Sequence, residues 1–273
     1  LRDFGEGGHG LGGGFGLAES LGLDPVEFRR RNALQVGATT ATGQLMRESV
    51  GLLECIDKVD TDMRAGDFRW TWEVGHKRYA WGLAIGYKNT GLGGGAPDKA
   101  TAEVEAWHDP ARGLVAEVRI SSAEMGQGLP GVLASCAAEE LGIPTENVSV
   151  LLGDTDVCPD GGPTTASRQT FVSGNAARLA ARDVARKLAD NPSESVVVQH
   201  EYWAPKTQPL GTGGDMHVAF SFVAQAALCE IDLRTGQVEV KRIVAAHDVG
   251  RAINPLTLEG QIEGGIVMCI GYA

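Results

Sequence analysis

The sequence has no CxxC pair, no excess of positive charge and no long apolar run, and each absence excludes something. Its five cysteines (Cys55, Cys136, Cys158, Cys229 and Cys269) are odd in number and far apart. That spacing argues against a zinc site or a Cys-ligated iron–sulfur cluster within this chain, and it fits a reducing, cytoplasmic compartment. With 24 basic and 35 acidic side chains the formal charge is −11. A surface of that sign repels phosphate backbones, so no nucleic-acid partner is expected. No stretch approaches the ~20 apolar residues that cross a bilayer, so no membrane partner is expected either. Internal repeats are absent, and no G-x-G-x-x-G precedes a βαβ pattern, so a Rossmann dinucleotide site is not supported.

What is present is an ordinary globular composition with one outlier. Hydrophobic residues make up 43% and charged residues 22% of 273, enough for one large domain or two modest ones. Glycine, at 38 residues, is about twice its usual share. The glycines cluster without a period, which marks places where backbone turns sharply or approaches a ligand. Residues 5–16 read as a Gly loop. Asp24-Pro25-Val26-Glu27 reads as a helix start with a capping box, ending near Asn32. An amphipathic helix is expected over 50–64, and Trp70, Trp72 and Trp81 mark a change of composition after it. Strands are expected at 80–87, 101–107, 114–122, 147–153, 217–232 and 237–247, with helices at 130–141 and 174–189. The mixed order gives an α+β class of elongated mixed-sheet domains with packed helices. A boundary near 65–80 separates a helical tail from a main domain. The chain starts at Leu1, and the apolar run 264–273 carries no terminator, so it reads as a piece of something longer.

Four stretches carry unusual chemistry. In Ala123-Glu124-Met125-Gly126-Gln127-Gly128, glycines on both sides of Gln127 let backbone and amide approach a ligand together; read alone, it is equally a strand–helix turn. Gly153-Asp154-Thr155, followed by Gly161 to Thr170, gathers hydroxyls, Arg168 and backbone N–H groups at a helix start, which suits a phosphate. The alternative is a capped helix after a polar loop. His247-Asp248-Val249-Gly250-Arg251, Asn254-Pro255 and Gly260-Gln261 again set Gln beside Gly, with His247 alone reading as a hydrogen-bonded structural residue. Arg2-Asp3-Phe4-Gly5 opens the N-terminal Gly loop.

Together these stretches resemble the molybdenum-binding large subunit of the xanthine dehydrogenase and aldehyde oxidase family, over nearly the whole chain from Leu21. The most specific segments are Glu124–Gly128, Pro163–Thr170, and Asp248–Arg251 through Gly264, with Ala138–Gly142 and Gly153–Thr155 at the family's spacing. The resemblance implies that residues 1–70 are the tail of a first molybdenum cofactor-binding domain and 71–273 a second, incomplete one. It implies a molybdenum-pterin (molybdopterin) cofactor in its cytosine dinucleotide form. Gln127, with Gly126 and Gly128, would sit near the metal. Thr165, Ala166, Ser167, Arg168, Gln169 and Thr170 would hold pterin or phosphate, and Gln261 would meet the pterin from the other side. Arg2 and Gly5 would belong to a segment near the metal in which Phe4 stacks on a small planar substrate. The implied reaction is hydroxylation of an electron-poor C–H carbon, in a heteroaromatic or an aldehyde, with oxygen from water. Electrons would pass to 2Fe-2S and FAD centres on partner subunits, in a dimer of heterotrimers.

The chain departs from the family pattern in two places. Asp3 stands where the family has Gly, and the string Gly12–Gly16 is similar to a motif that lies further upstream in the family. By the same resemblance, the catalytic base is a Glu beyond residue 273, and Glu124, Glu259 and Glu263 do not match it. A rival reading is therefore a non-catalytic remnant or partner-binding scaffold. A generic phosphate-binding module on 161–175 is a third, leaving the other motifs idle.

Overall fold

Asp24 shows how local chemistry starts an element. Its carboxylate accepts from the backbone N–H of Val26 (2.8 Å) and Glu27 (3.3 Å), and Pro25 takes the first helical position. Glu27 does not complete the expected capping box; it accepts from Arg31 Nε at 2.7 Å instead. The computed structural model describes residues 10–190 and 195–273. In chain order the elements are α1 (Gly10–Ser20), α2 (Pro25–Asn32), α3 (Leu52–Arg64), β1 (Thr71–Val74), β2 (Lys77–Thr90), β3 (Lys99–Asp109), β4 (Gly113–Ile120) and α4 (Leu129–Leu141). Then follow β5 (Val148–Leu152), α5 (Gly174–Asp190), β6 (Val196–Trp203), β7 (Ala219–Asp232), β8 (Val238–Asp248) and α6 (Pro255–Tyr272). The class is α+β, as the mixed order predicts. No described helix is long and apolar enough to cross a membrane.

Two compact units share the chain. One takes the described residues up to Lys88 together with Leu210–Asp215 and Phe220–Gly250. Its sheet has the order β1-β2-β7-β8, with β1–β2 and β7–β8 antiparallel. Ile56, Val59 and Met63 on one face of α3 are buried with Leu83, Phe222 and Ala224 of the strands. Each fully buried side chain of this kind contributes roughly 1.5–3 kcal/mol.

The other unit takes Asn89–Pro209, Met216–Ala219 and Arg251–Ala273. Its sheet runs β5-β4-β3-β6, antiparallel except for the parallel β4–β5 pair, which α4 connects. Period-2 alternation decides the faces. Ala100, Ala102, Val104 and Ala106 of β3 point into the core. The core-facing residues of α4 and α5 are largely alanines too, among them Ala137, Ala176, Ala177 and Ala180, so the helices lie close on the sheet. On the opposite face Arg119 binds Glu103, Glu105 and Glu117 at 2.5–2.9 Å, and these carboxylates hold its guanidinium firmly protonated.

Four elements depart from expectation. The part of the N-terminal Gly loop that is described, from Gly10, is helical in α1. Phe15 packs edge-on against Trp70 (5.2 Å) and lies under the Arg29 guanidinium (4.7 Å), so packing outweighs the poor helix propensity of glycine. β1 and β6 were not expected, and neither was α6. The last carries its own start signal, with Asn254 accepting from the Thr257 N–H at 3.2 Å ahead of Pro255.

Candidate functional site

Where β4 hands over to α4, the chain turns on two left-handed glycines, Gly126 (φ 99°) and Gly128 (φ 79°). Only glycine adopts these angles without strain. Glu124 closes the turn. One carboxylate oxygen accepts from Gly126 N–H (2.7 Å) and Gly128 N–H (3.0 Å), the other from Leu129 N–H (2.7 Å). Desolvation pushes its carboxyl upward, but the backbone donors of Gly128, Leu129, Gly126 and Gln127 outweigh that and hold it below its ordinary value. Glu124 is therefore a helix cap and a poor base. Gln127 folds back on the same turn, accepting from Met125 N–H (2.6 Å) and donating to Ala123 C=O (3.0 Å).

The second segment is zipped onto the first. Gly161 N–H donates to Ser121 Oγ (3.0 Å), and Thr164 Oγ1 both donates to Ala123 C=O and accepts from Ala123 N–H, each at 3.0 Å. Arg168 is wholly buried. Its Nε donates to Asp98 (2.7 Å), Nη1 to the carbonyls of Gly161 (2.9 Å) and Pro163 (2.8 Å), and Nη2 to Lys99 C=O (2.5 Å). Gln169 is buried too. It donates to Pro163 C=O (3.1 Å) and Thr164 Oγ1 (3.0 Å), and it accepts from Ser122 Oγ (3.0 Å) and Ser173 Oγ. Burying a guanidinium demands partners, and the chain supplies one or more to each nitrogen, so the side chains of Arg168 and Gln169 are turned into the fold. Thr165, Ser167 and Thr170 stay exposed, on a turn where Ala166 (φ 50°) and Ser167 (φ 56°) are left-handed without being glycine.

The third segment arrives with α6. Gln261 Nε2 donates to Gly126 C=O at 3.2 Å, and Thr257 Cγ2 lies 3.6 Å from where a Gly128 Cβ would be. Gly126, Gln127 and Gly128, the turn at 165–170, and Gln261 thus share one unit and one connected network. Arg2, Phe4 and Gly5 lie outside the described residues. His247 and Asp248 belong to the other unit. There the His247 ring, which burial pushes below its ordinary value, lies within hydrogen-bond distance of Gln225 (3.1 Å). A cavity of about 670 Å³ between α3 and β8 holds none of the expected cofactor residues.

Sequence reasoning missed Asp98, Ser122 and Ser173, and it left Glu124 without a role. Glu124 had a local signal, an acid just before a Gly-punctuated helix start. Asp98 had none, since its partner is 70 residues away.

Three segments of one unit thus meet in one hydrogen-bonded network, with the Thr165, Ser167 and Thr170 hydroxyls exposed on the second of them. A family model for the molybdopterin cofactor-binding domain matches residues 54–198 and 192–273. The chain is 29% identical to an aldehyde oxidoreductase of Megalodesulfovibrio gigas, over 94% of this chain and 30% of that protein. It is 28% identical to a xanthine dehydrogenase molybdenum-binding subunit of Escherichia coli O157:H7, over 94% of this chain and 38% of that one. The solved aldehyde oxidoreductase of Desulfovibrio gigas superposes with a TM-score of 0.80 at 26% identity, over 95% of this chain and 30% of that one. The chain belongs to the molybdopterin cofactor-binding domain family, and it spans about a third of the length of these relatives.

Proposed function

We propose that the segments 121–128, 161–170 and 254–261 hold a molybdenum-carrying pterin, as part of a hydroxylase acting on a heteroaromatic or aldehyde C–H carbon. The observation that carries this is the convergence of the Gln127 turn, the 165–170 turn and Gln261 in one network within a chain of this family. The donor set fits the group. Exposed Thr165, Ser167 and Thr170 hydroxyls suit phosphate oxygens, and Gln127 and Gln261, which spend only part of their amides on the turn, keep a second N–H and a lone pair for the amide edge of a pterin. When bound, the cofactor supplies the redox centre at which substrate carbon gains oxygen from water and gives up two electrons.

The chain's own residues position and shield. Glu124 fixes the turn that presents Gln127, and Gln261 ties α6 to Gly126. Arg168 and Gln169 act from beneath, holding the 161–170 loop in shape. Glu124 is not the general base, because both its oxygens are taken and its carboxyl is held low. The cytosine dinucleotide form of the cofactor, 2Fe-2S and FAD on partner subunits, a dimer of heterotrimers, a planar substrate against Phe4 and a cytoplasmic site all belong to the same proposal. So does the division into a first domain tail (1–70) and a second domain (71–273).

The second reading, a non-catalytic or partner-binding scaffold, draws on Glu124, whose oxygens are both taken by backbone donors of its own turn. Co-expression with the neighbouring reading frames, followed by a screen of purines, nicotinate and aldehydes with a dye acceptor, separates the two. Turnover supports the hydroxylase; a pterin-loaded assembly inert to every class favours the scaffold.

A further inference from the structure

We propose that Asp98 and Arg168 are positioning residues that lock the Ala166–Ser167 turn in a strained left-handed form, and that this form aims the turn at the cofactor. The inference rests on the cofactor reading above. Non-glycine residues avoid positive φ because Cβ crowds the backbone, and they stay there only where the surroundings force them. Ala166 and Ser167 do so consecutively. A helix start does not require this, since a cap residue normally approaches in the β region. The strain therefore has some use other than starting the helix that follows.

The forcing groups can be named. Gly91 N–H donates to Ala166 C=O (3.0 Å), and Arg168 N–H donates to Thr165 C=O (3.1 Å), so the turn is held on both sides. The Arg168 guanidinium, with no exposed surface, ties Asp98 and Lys99 C=O on one side to Gly161 and Pro163 C=O on the other. Asp98 uses its second oxygen on Leu92 N–H (2.9 Å), which fastens the Gly91–Gly95 loop to the same hub. Space is committed as well: a Cβ on Gly162 would lie 2.9 Å from Arg168 Nη2. Around this hub only Thr165, Ser167 and Thr170 of the turn are exposed, so the clamp fixes where their hydroxyls and N–H groups point.

The test uses the full chain, co-expressed with the neighbouring frames in a molybdate-supplied host. Its readouts are melting temperature and the fluorescent pterin released per chain. Ala166→Gly removes the strain, so the variant is expected to melt about 2 °C higher. Glycine keeps the left-handed form without strain, so the turn should keep its aim and the variant its wild-type pterin. Asp98→Asn slackens the clamp, and pterin retention should fall about tenfold. Adding Ala166→Gly to Asp98→Asn should bring pterin back toward wild type, because glycine holds the left-handed form unforced; a residue with a merely structural role would show no such rescue. An Asp98→Asn variant that keeps wild-type pterin overturns the inference, and so does a double variant that retains no more than Asp98→Asn alone, or an Ala166→Gly variant that melts lower or loses pterin. Wild-type protein devoid of pterin overturns the cofactor reading itself, and that result is seen before any variant is compared.

Discussion

Gly126 and Gly161 sit in two turns of one unit for opposite reasons. Gly126 has a left-handed φ of 99° and open space where a Cβ would go, so it is needed for its backbone angle. Gly161 has no such φ, yet a Cβ there would lie 2.3 Å from Ser122 Oγ and 2.6 Å from Ile120 Cγ1, so it is needed for its size. The side chains around them differ in the same sense. In the 123–128 turn the polar groups, Glu124 and Gln127, lie at the surface and satisfy their own backbone. In the 161–170 turn the largest polar groups, Arg168 and Gln169, point inward and the small hydroxyls face out. A polar residue in a Gly-rich loop is thus no guide to which way it faces; the supply of buried partners decides.

The sharpest way to break this contrast is to remove the inward arginine. Arg168→Met leaves the Asp98 carboxylate buried without its cation and takes one donor from each of three carbonyls, and should cost about 3–5 kcal/mol in urea unfolding. The glycines come next. Gly161→Ala forces a methyl against Ser122 and Ile120 and should cost about 1–3 kcal/mol. Gly126→Ala, with open space and only its φ against it, should cost about 1 kcal/mol. Equal costs would erase the distinction between angle and size.

Glu124→Gln probes the outward turn through pH. The folded carboxyl is held below 4.5, so its contribution is present above that value and is lost as pH falls through the folded value. The variant should trail wild type near neutrality by about 1 kcal/mol and converge with it in acid. A gap that persists in acid would mean the cap is not acting as a charge. The smallest effect is expected at Gln127→Ala. Stability should change by less than about 0.5 kcal/mol, with pterin retention falling nonetheless.

Alternation made β3 legible, because it keeps an in–out period over an alanine-rich core, whereas β4 breaks the period at the adjacent buried pair Val115 and Ala116, and β6 went unread. Cap chemistry made α2 legible at Asp24. Glycine hid two helices, α1 and α6: propensity speaks against Gly12, Gly260 or Gly264, and only tertiary packing or the Asn254 cap speaks for them. The convergence of Gln127, the 165–170 turn and Gln261 was legible as motif order. The direction of Arg168 was not, because its partner Asp98 lies a domain's width away in sequence.

The most direct test of the central claim is molybdenum and released pterin per chain, after co-expression in a molybdate-supplied host. The account predicts about one molybdenum and one pterin per chain. Folded, soluble protein carrying neither would contradict it and leave the scaffold reading standing.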